Sequence, residues 1–182
     1  DILGTLAQTS AEQGIRTVIV TGDKDYLQLI RPNVEVYLTK RGITEMEMFD
    51  EAHLMEVYGI TPRQMIDVKG LMGDKSDNIP GIPGIGEKKA LGFIQSYGSI
   101  EGLYEHIDEV RGPKTKQVIE EHRPQALMSK RLGEIFLHVP MDTAPESYLV
   151  KEENTEEVVR WFERLDFRSL AKKRTDGRES KA

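Results

Sequence analysis

The run from Gly70 to Ala90 constrains the fold more tightly than any other part of this 182-residue chain. It sets a carboxylate pair, Asp74 and Asp77, in a polar turn. A second turn follows, Ile82-Pro83-Gly84-Ile85-Gly86, which opens into the helical pattern of Glu87, Lys88, Lys89 and Ala90. Unpaired amides at a helix N-terminus favour anions, and the two lysines add positive charge. A carboxylate pair suits a divalent cation. Together the two parts point to chemistry on a nucleic-acid phosphodiester.

Another acidic pair lies upstream, where Thr17-Val18-Ile19-Val20 gives way to Thr21-Gly22-Asp23-Lys24-Asp25. A short β-branched run bounded by glycine, with helical patterns on either side, reads as a buried strand of a parallel sheet in an α/β layer. Asp23 and Asp25 then stand at the carboxyl end of that strand, where open α/β sheets collect ligands. Asp23, Asp25, Asp74 and Asp77 form a hard-oxygen donor set suited to Mg²⁺ or Mn²⁺. Two such ions about 4 Å apart can activate water and stabilise a leaving oxygen. Zinc fits poorly, because the chain has no cysteine and its four histidines are not closely paired. Each aspartate also has a structural reading. Asp23 can cap a helix from Lys24 to Ile30, and Asp74 and Asp77 can be turn residues. Asp50 reads as a helix cap, and Asp67 lies inside a helical pattern.

The glycine turn reads as a helix-hairpin-helix over 79–97. Gly81, Gly84 and Gly86 let the backbone approach a partner closely, Ile82 and Ile85 anchor the turn, and the amides that follow can hold phosphate without reading bases. A dinucleotide-binding fingerprint is excluded by the order of the glycines and by the lack of a preceding strand. A plain interhelical turn is the structural alternative.

Elsewhere, Ile2, Leu3, Leu6 and Ala7 mark one face of an opening helix that stops at Gly14. Val34, Val36 and Leu38 predict a strand, with a turn at Lys40-Arg41-Gly42. Helices are expected from Asp50 to Tyr58, from Thr61-Pro62, over 86–97, from Ser99 to His106, over 113–122 and over 124–136. An amphipathic helix over 155–165 places Trp161 in a core. The expected organisation is the C-terminal part of an α/β core over 1–48, a helical DNA-binding region over 49–170 and a flexible linker or tail over 171–182. The net charge of −6 argues against nucleic acid only on average. Bound cations neutralise part of it, and the span 111–131 holds six basic and two acidic residues. No disulfide can form, and no apolar run reaches membrane-spanning length.

Thr21-Gly22-Asp23-Lys24-Asp25, Gly73-Asp74-Lys75-Ser76-Asp77-Asn78 and Pro83-Gly84-Ile85-Gly86-Glu87-Lys88 resemble, as a joined pattern, the 5′-nucleases of bacterial DNA polymerases I. Flap endonucleases and phage 5′-exonucleases are similar at greater distance. The resemblance runs from about Asp1 to Leu170. It implies a PIN-like α/β core with a helical domain, 5′-3′ exonuclease and flap endonuclease activity by two metal ions, and DNA as partner. It also implies metal binding by Asp1, Asp23, Asp25, Asp74 and Asp77, DNA contacts at Gly81, Gly84, Ile85, Gly86, Lys88 and Lys89, and a K⁺ ion on the carbonyls of the glycine turn. A polymerase region in a longer chain follows from the same likeness, while a bacterial cytoplasmic setting is the default expectation from a composition without cysteine or a signal-peptide pattern. Members of this family carry a first strand, further acids and a basic arch before the position of Asp1, so the chain is expected to lack a front part and to cleave weakly alone. A non-catalytic DNA-binding module is the alternative reading, and a PIN-like ribonuclease is a third.

Overall fold

The computed structural model describes residues 1–41 and 45–179, with backbone alone for Lys40, Arg41 and 176–179. They form two compact units, Asp1–Thr143 and Ala144–Ala182. In the first unit, helix α1 (Ile2–Glu12) leads to strand β1 (Thr17–Thr21). A 3₁₀ segment, Lys24–Leu29, then precedes β2 (Val34–Arg41) and β3 (Glu45–Phe49). β1 pairs in parallel with β2, Thr17 opposite Val34 and Thr21 opposite Leu38, and β3 runs antiparallel to β2 with Phe49 opposite Val36.

The sheet is therefore mixed, and β3 is a strand that the sequence reading did not anticipate. Its residues Glu45, Met46, Glu47 and Met48 have low strand preference, and Met46 and Met48 face solvent. The backbone of Lys40 and Arg41 continues β2 where a turn was expected, and Gly42 lies outside the described residues. β1 is half-buried rather than buried. Its alternation sends Ile19 into the core and leaves Val18 and Val20 on the open face. α1 likewise buries Gly4, Thr5 and Ala7, while Ile2 and Leu3 are exposed. The cause is the segment at 135–139, which presses on α1. A Cβ on Gly4 would lie 2.7 Å from Ile135, and the Thr5 hydroxyl accepts the Val139 amide at 3.1 Å.

The α/β core closes on Leu27, Leu29, Val34, Val36, Phe49 and Leu54. Helices α2 (Glu51–Tyr58), α3 (Gln64–Met72), α4 (Glu87–Tyr97), α5 (Ile100–Glu105), α6 (Pro113–Glu121) and α7 (Arg123–Gly133) surround a second core that includes Val68, Leu71, Ile82, Ile85, Ile94 and Leu103. Tyr58 and Met65 pack against both cores, so the seam expected at 48/49 runs inside one unit. α3 starts at Gln64, two residues beyond Pro62, and α7 ends at Gly133, three residues before Phe136. Asp67 is buried on α3. It accepts the Ile100 amide at 3.0 Å and pairs with Lys130 at 2.6 Å, tying α3 to α5 and α7.

Asp50 caps α2 by accepting the His53 amide at 2.7 Å, and Gly59 ends it in the left-handed region at φ 66°. Both ring nitrogens of His53 face carboxylates, Nε2 to Glu47 at 3.0 Å and Nδ1 to Glu56 at 3.1 Å. Only the imidazolium donates at both nitrogens, so these hydrogen bonds raise the His53 pKa above 6.5. A folded-state pKa raised in this way adds stability that is fully present below the unfolded value and is lost as pH rises through the folded value. Melting temperature measured from about pH 5.5 to 8.5 is thus expected to fall more steeply in the wild type than in His53→Gln. Parallel curves would remove His53 as the source.

In the second unit, Asn154 caps α8 (Thr155–Arg164) by accepting the Glu157 amide at 3.2 Å, and α9 (Arg168–Glu179) follows. Residues 171–179 are thus helical where a linker or tail was expected. Trp161, expected in a core, is half exposed beneath the Arg164 guanidinium, 5.0 Å from the ring centroid. No described helix is long and apolar enough to cross a membrane.

Candidate metal centre and nucleic-acid interface

The parallel strand β1 delivers the chain to the acidic region at its carboxyl end. There the Thr21 hydroxyl accepts the Asp23 amide at 3.1 Å, and Asp23 Oδ1 accepts the Asp25 amide at 2.9 Å, capping the 3₁₀ segment. This turns Asp25 toward α3. At its own end, α3 stops at Gly73 (φ 70°), and Asp74 and Ile79 exchange a pair of backbone hydrogen bonds, each 2.8 Å. The tight loop between them is closed by Asp74 Oδ1, which accepts the amide and hydroxyl of Ser76 and, at 3.4 Å, the Asp77 amide. One oxygen each from Asp25, Asp74 and Asp77 consequently lie within 4.8 Å of one another.

A lysine sits among them. Lys69 Nζ pairs with Asp25, with Asp77 at 3.0 Å and with Asp74 at 3.2 Å, and its side chain is only 6% exposed. Burial works against its charge, but hydrogen bonds to Asp25 and Asp77 outweigh it and raise the Lys69 pKa. Burial likewise lifts Asp25 above the usual carboxylate value against the pull of Lys69. Asp74 moves the other way, drawn down to about 2 mainly by the Ser76 hydroxyl. Three convergent carboxylate oxygens, already gathered about one cation, are a donor set that fits a hard divalent ion.

Of the acids singled out in the sequence, the fold brings together Asp25, Asp74 and Asp77. Asp23 is adjacent but serves as the cap. One oxygen of Asp1 accepts the Phe136 amide at 2.8 Å, and Asp1 stands outside the three-carboxylate group. Lys69 was missed. No local signal marked it: in α3 it follows the equally polar Asp67 and precedes Gly70, so a charged residue there reads as readily as solvated as buried.

The glycine turn follows directly. α3 supplies the first helix of the hairpin, upstream of 79, and α4 the second. Ile82 and Ile85 are buried and the Ile85 amide donates to the Ile82 carbonyl at 3.0 Å, so the turn is pinned from inside. Gly81 is wedged against α3: a Cβ there would lie 2.2 Å from the Gly73 nitrogen. Gly84, Gly86, Lys88 and Lys89 are exposed. The N-cap of α4, Gly86, offers no side-chain cap; the Lys89 amide donates to the Gly86 carbonyl at 3.0 Å, so the Glu87 and Lys88 amides are the first-turn donors left to face solvent or a ligand. Lys24 Nζ reaches Glu87 at 3.5 Å and lies 5.8 Å from the Tyr58 ring centroid, joining the segment that carries Asp25 to the start of α4. The acidic group and the glycine turn are therefore neighbours on one surface.

Residues 1–59 match the family described as 5′-3′ exonuclease, N-terminal resolvase-like domain, and residues 60–156 match 5′-3′ exonuclease, C-terminal SAM fold. The DNA polymerase I of Bacillus caldotenax is 43% identical over 173 residues, covering 95% of this chain and 20% of that protein. The DNA polymerase I of Bacillus subtilis is 44% identical over 170 residues, covering 93% and 19%. The chain thus spans about a fifth of the length of these relatives. Among solved structures, a T5 5′-exonuclease described with bound divalent metal ions (zinc) is similar at TM-score 0.60 and 20% identity, over 72% of this chain and 48% of that one. The catalytic core of Rad2 in complex with DNA substrate is similar at TM-score 0.55 and 13% identity, over 88% and 54%. These two share the fold: a PIN-like α/β core followed by helices.

Proposed function

The chain belongs to the 5′-3′ exonuclease family, and on that premise we propose that it carries the 5′-3′ exonuclease and flap endonuclease activity of a DNA polymerase I in a bacterial cytoplasm. The observation that carries this reading is the convergence of Asp25, Asp74 and Asp77 within 4.8 Å, next to a glycine turn suited to phosphate. Mg²⁺ or Mn²⁺ bound there would lower the pKa of an attacking water and stabilise the leaving 3′-oxygen.

The chain's own residues do the rest. Asp25, Asp74 and Asp77 supply direct oxygen ligands, and Ser76 holds Asp74 ionised and oriented. Asp23, whose Oδ1 is engaged by the Asp25 amide, takes a water-mediated place. Asp1, one oxygen of which accepts the Phe136 amide, takes at most an outer, water-mediated place through its other oxygen. Gly84, Gly86, Lys88 and Lys89 grip duplex phosphates, while Gly81 and Ile85 shape the turn that presents them. A K⁺ ion on the turn's carbonyls belongs to the same reading, and at Gly84 it would have to displace the Lys89 ammonium, which that carbonyl accepts at 3.1 Å. Phosphate contacts position DNA without reading its sequence.

The test is a duplex bearing a 5′ flap. Weak cleavage is expected with Mg²⁺, and Lys88→Ala/Lys89→Ala is expected to weaken binding alike on different sequences. Its log–log salt dependence should flatten by about 0.9 for each phosphate that the double variant no longer neutralises. Tight binding without any cleavage would instead favour the DNA-binding module, and a sequence-dependent loss would mean base readout.

A further inference from the structure

Lys69 is placed unlike the other described lysines of the chain. Its ammonium lies within ion-pair distance of all three clustered carboxylates, and its side chain is 6% exposed. The stem cannot swing aside easily. It emerges from the middle of α3, a helix packed along α7, and a Cβ on Gly133 would lie 3.0 Å from its Cδ and 3.1 Å from its Cγ. Gly133 is held there by Gln28, whose amide nitrogen donates to the Gly133 carbonyl at 3.0 Å and whose Oε1 accepts the Ile135 amide at 2.9 Å. The absence of a side chain at Gly133 makes room for the lysine stem, and the Gln28 bridge fixes that wall. The stem is thereby walled in on the Gly133 side, beside the carboxylates that its ammonium meets.

We infer that Lys69 is a tethered cation that shares Asp25, Asp74 and Asp77 with the divalent ions and sets their affinity low, as a positioning residue for the metal site; this rests on the metal-binding reading above. Two effects follow from Coulomb's law. The ammonium holds three mutually repelling carboxylates together, so the donor set is assembled before a metal arrives. It also cancels one of their three negative charges and repels an incoming dication at close range. The site is consequently organised but weak, and its ions can exchange.

Lys69→Met removes the charge while keeping an unbranched stem in the Gly133 slot, and Lys69→Gln is the polar companion should methionine fold poorly. Binding of Mn²⁺ alone, measured by electron paramagnetic resonance of the free ion and by thermal shift, is expected to tighten by about tenfold or more in either variant. The melting temperature without metal is expected to fall and the Mn²⁺-induced rise to grow, since a ligand bound to the native state stabilises it by mass action. Asp74→Asn serves as the control. Unchanged or weaker Mn²⁺ affinity in the folded Lys69 variants, with Asp74→Asn weakened, overturns the tethered-cation role and leaves the metal site standing. Unchanged Mn²⁺ binding in Asp74→Asn overturns the metal site, and the role of Lys69 with it.

Discussion

Asp74→Asn is expected to leave the fold intact and to lower cleavage of a 5′-flap substrate by about 10² to 10³, the range found when one charge-stabilising group is removed from a preorganised site. The separation of effects comes from the two jobs of this side chain. Oδ1 closes the loop by accepting hydrogen bonds from Ser76 and Asp77, and an asparagine oxygen can accept the same bonds. The charge belongs to the site, where Oδ2 faces Lys69 at 3.2 Å. With a pKa near 2, Asp74 is ionised throughout the neutral range, so the substitution removes a full negative charge there. Asp25, lifted above the usual value, is the first of the pair to take a proton as pH falls. Metal titration and single-turnover cleavage measured together test the point. A variant that binds Mn²⁺ and cuts as the wild type does would remove Asp74 from the centre.

The site was legible in the sequence to the extent that its parts are local. Asp74, Asp77 and the glycine turn occupy one short stretch, and the reading of Asp25 required only that β1 be a strand with its carboxyl end at Thr21. The cap role of Asp23 was also open in sequence, and the structure displays it in the hydrogen bond from the Asp25 amide. Lys69 was not legible because its meaning is nonlocal: it lies 44 residues from Asp25, and its burial depends on Gly133 at the far end of α7. β3 escaped for a different reason. Methionine and glutamate carry little strand preference, and the strand is fixed by its pairing with β2 rather than by its own residues. The exposed faces of α1 and β1 were misjudged because periodicity gives the spacing of an apolar stripe but not what covers it, and the 135–139 segment meets α1 on the side of Gly4 and Thr5.

Gly73→Ala is expected to cost about 3 kcal/mol or more in urea unfolding and to take metal binding and DNA binding down together. The reason is steric and has no easy relief. Gly73 sits at φ 70°, and a Cβ there would lie 2.2 Å from the Gly81 nitrogen, 2.6 Å from the Ile79 carbonyl oxygen and 2.9 Å from the Gly81 Cα. All three are backbone atoms, so no side chain can rotate out of the way. Gly81 faces the same crowding from the other side, and between the two glycines run the Asp74–Ile79 hydrogen bonds that close the acidic loop. Pushing the strands of this loop apart would carry Asp74 and Asp77 away from Asp25 and would pull Ile82 out of the helical core, which unseats the glycine turn. Gly84→Ala is the matched control, since it shares a positive φ of 77° but has nothing within 4 Å of the added carbon. Its cost should be limited to the left-handed backbone penalty of about 1–2 kcal/mol, with Mn²⁺ binding retained. Equal stabilities for the two variants would mean that the close backbone crossing of 73 and 81 does not hold the acidic loop against the hairpin.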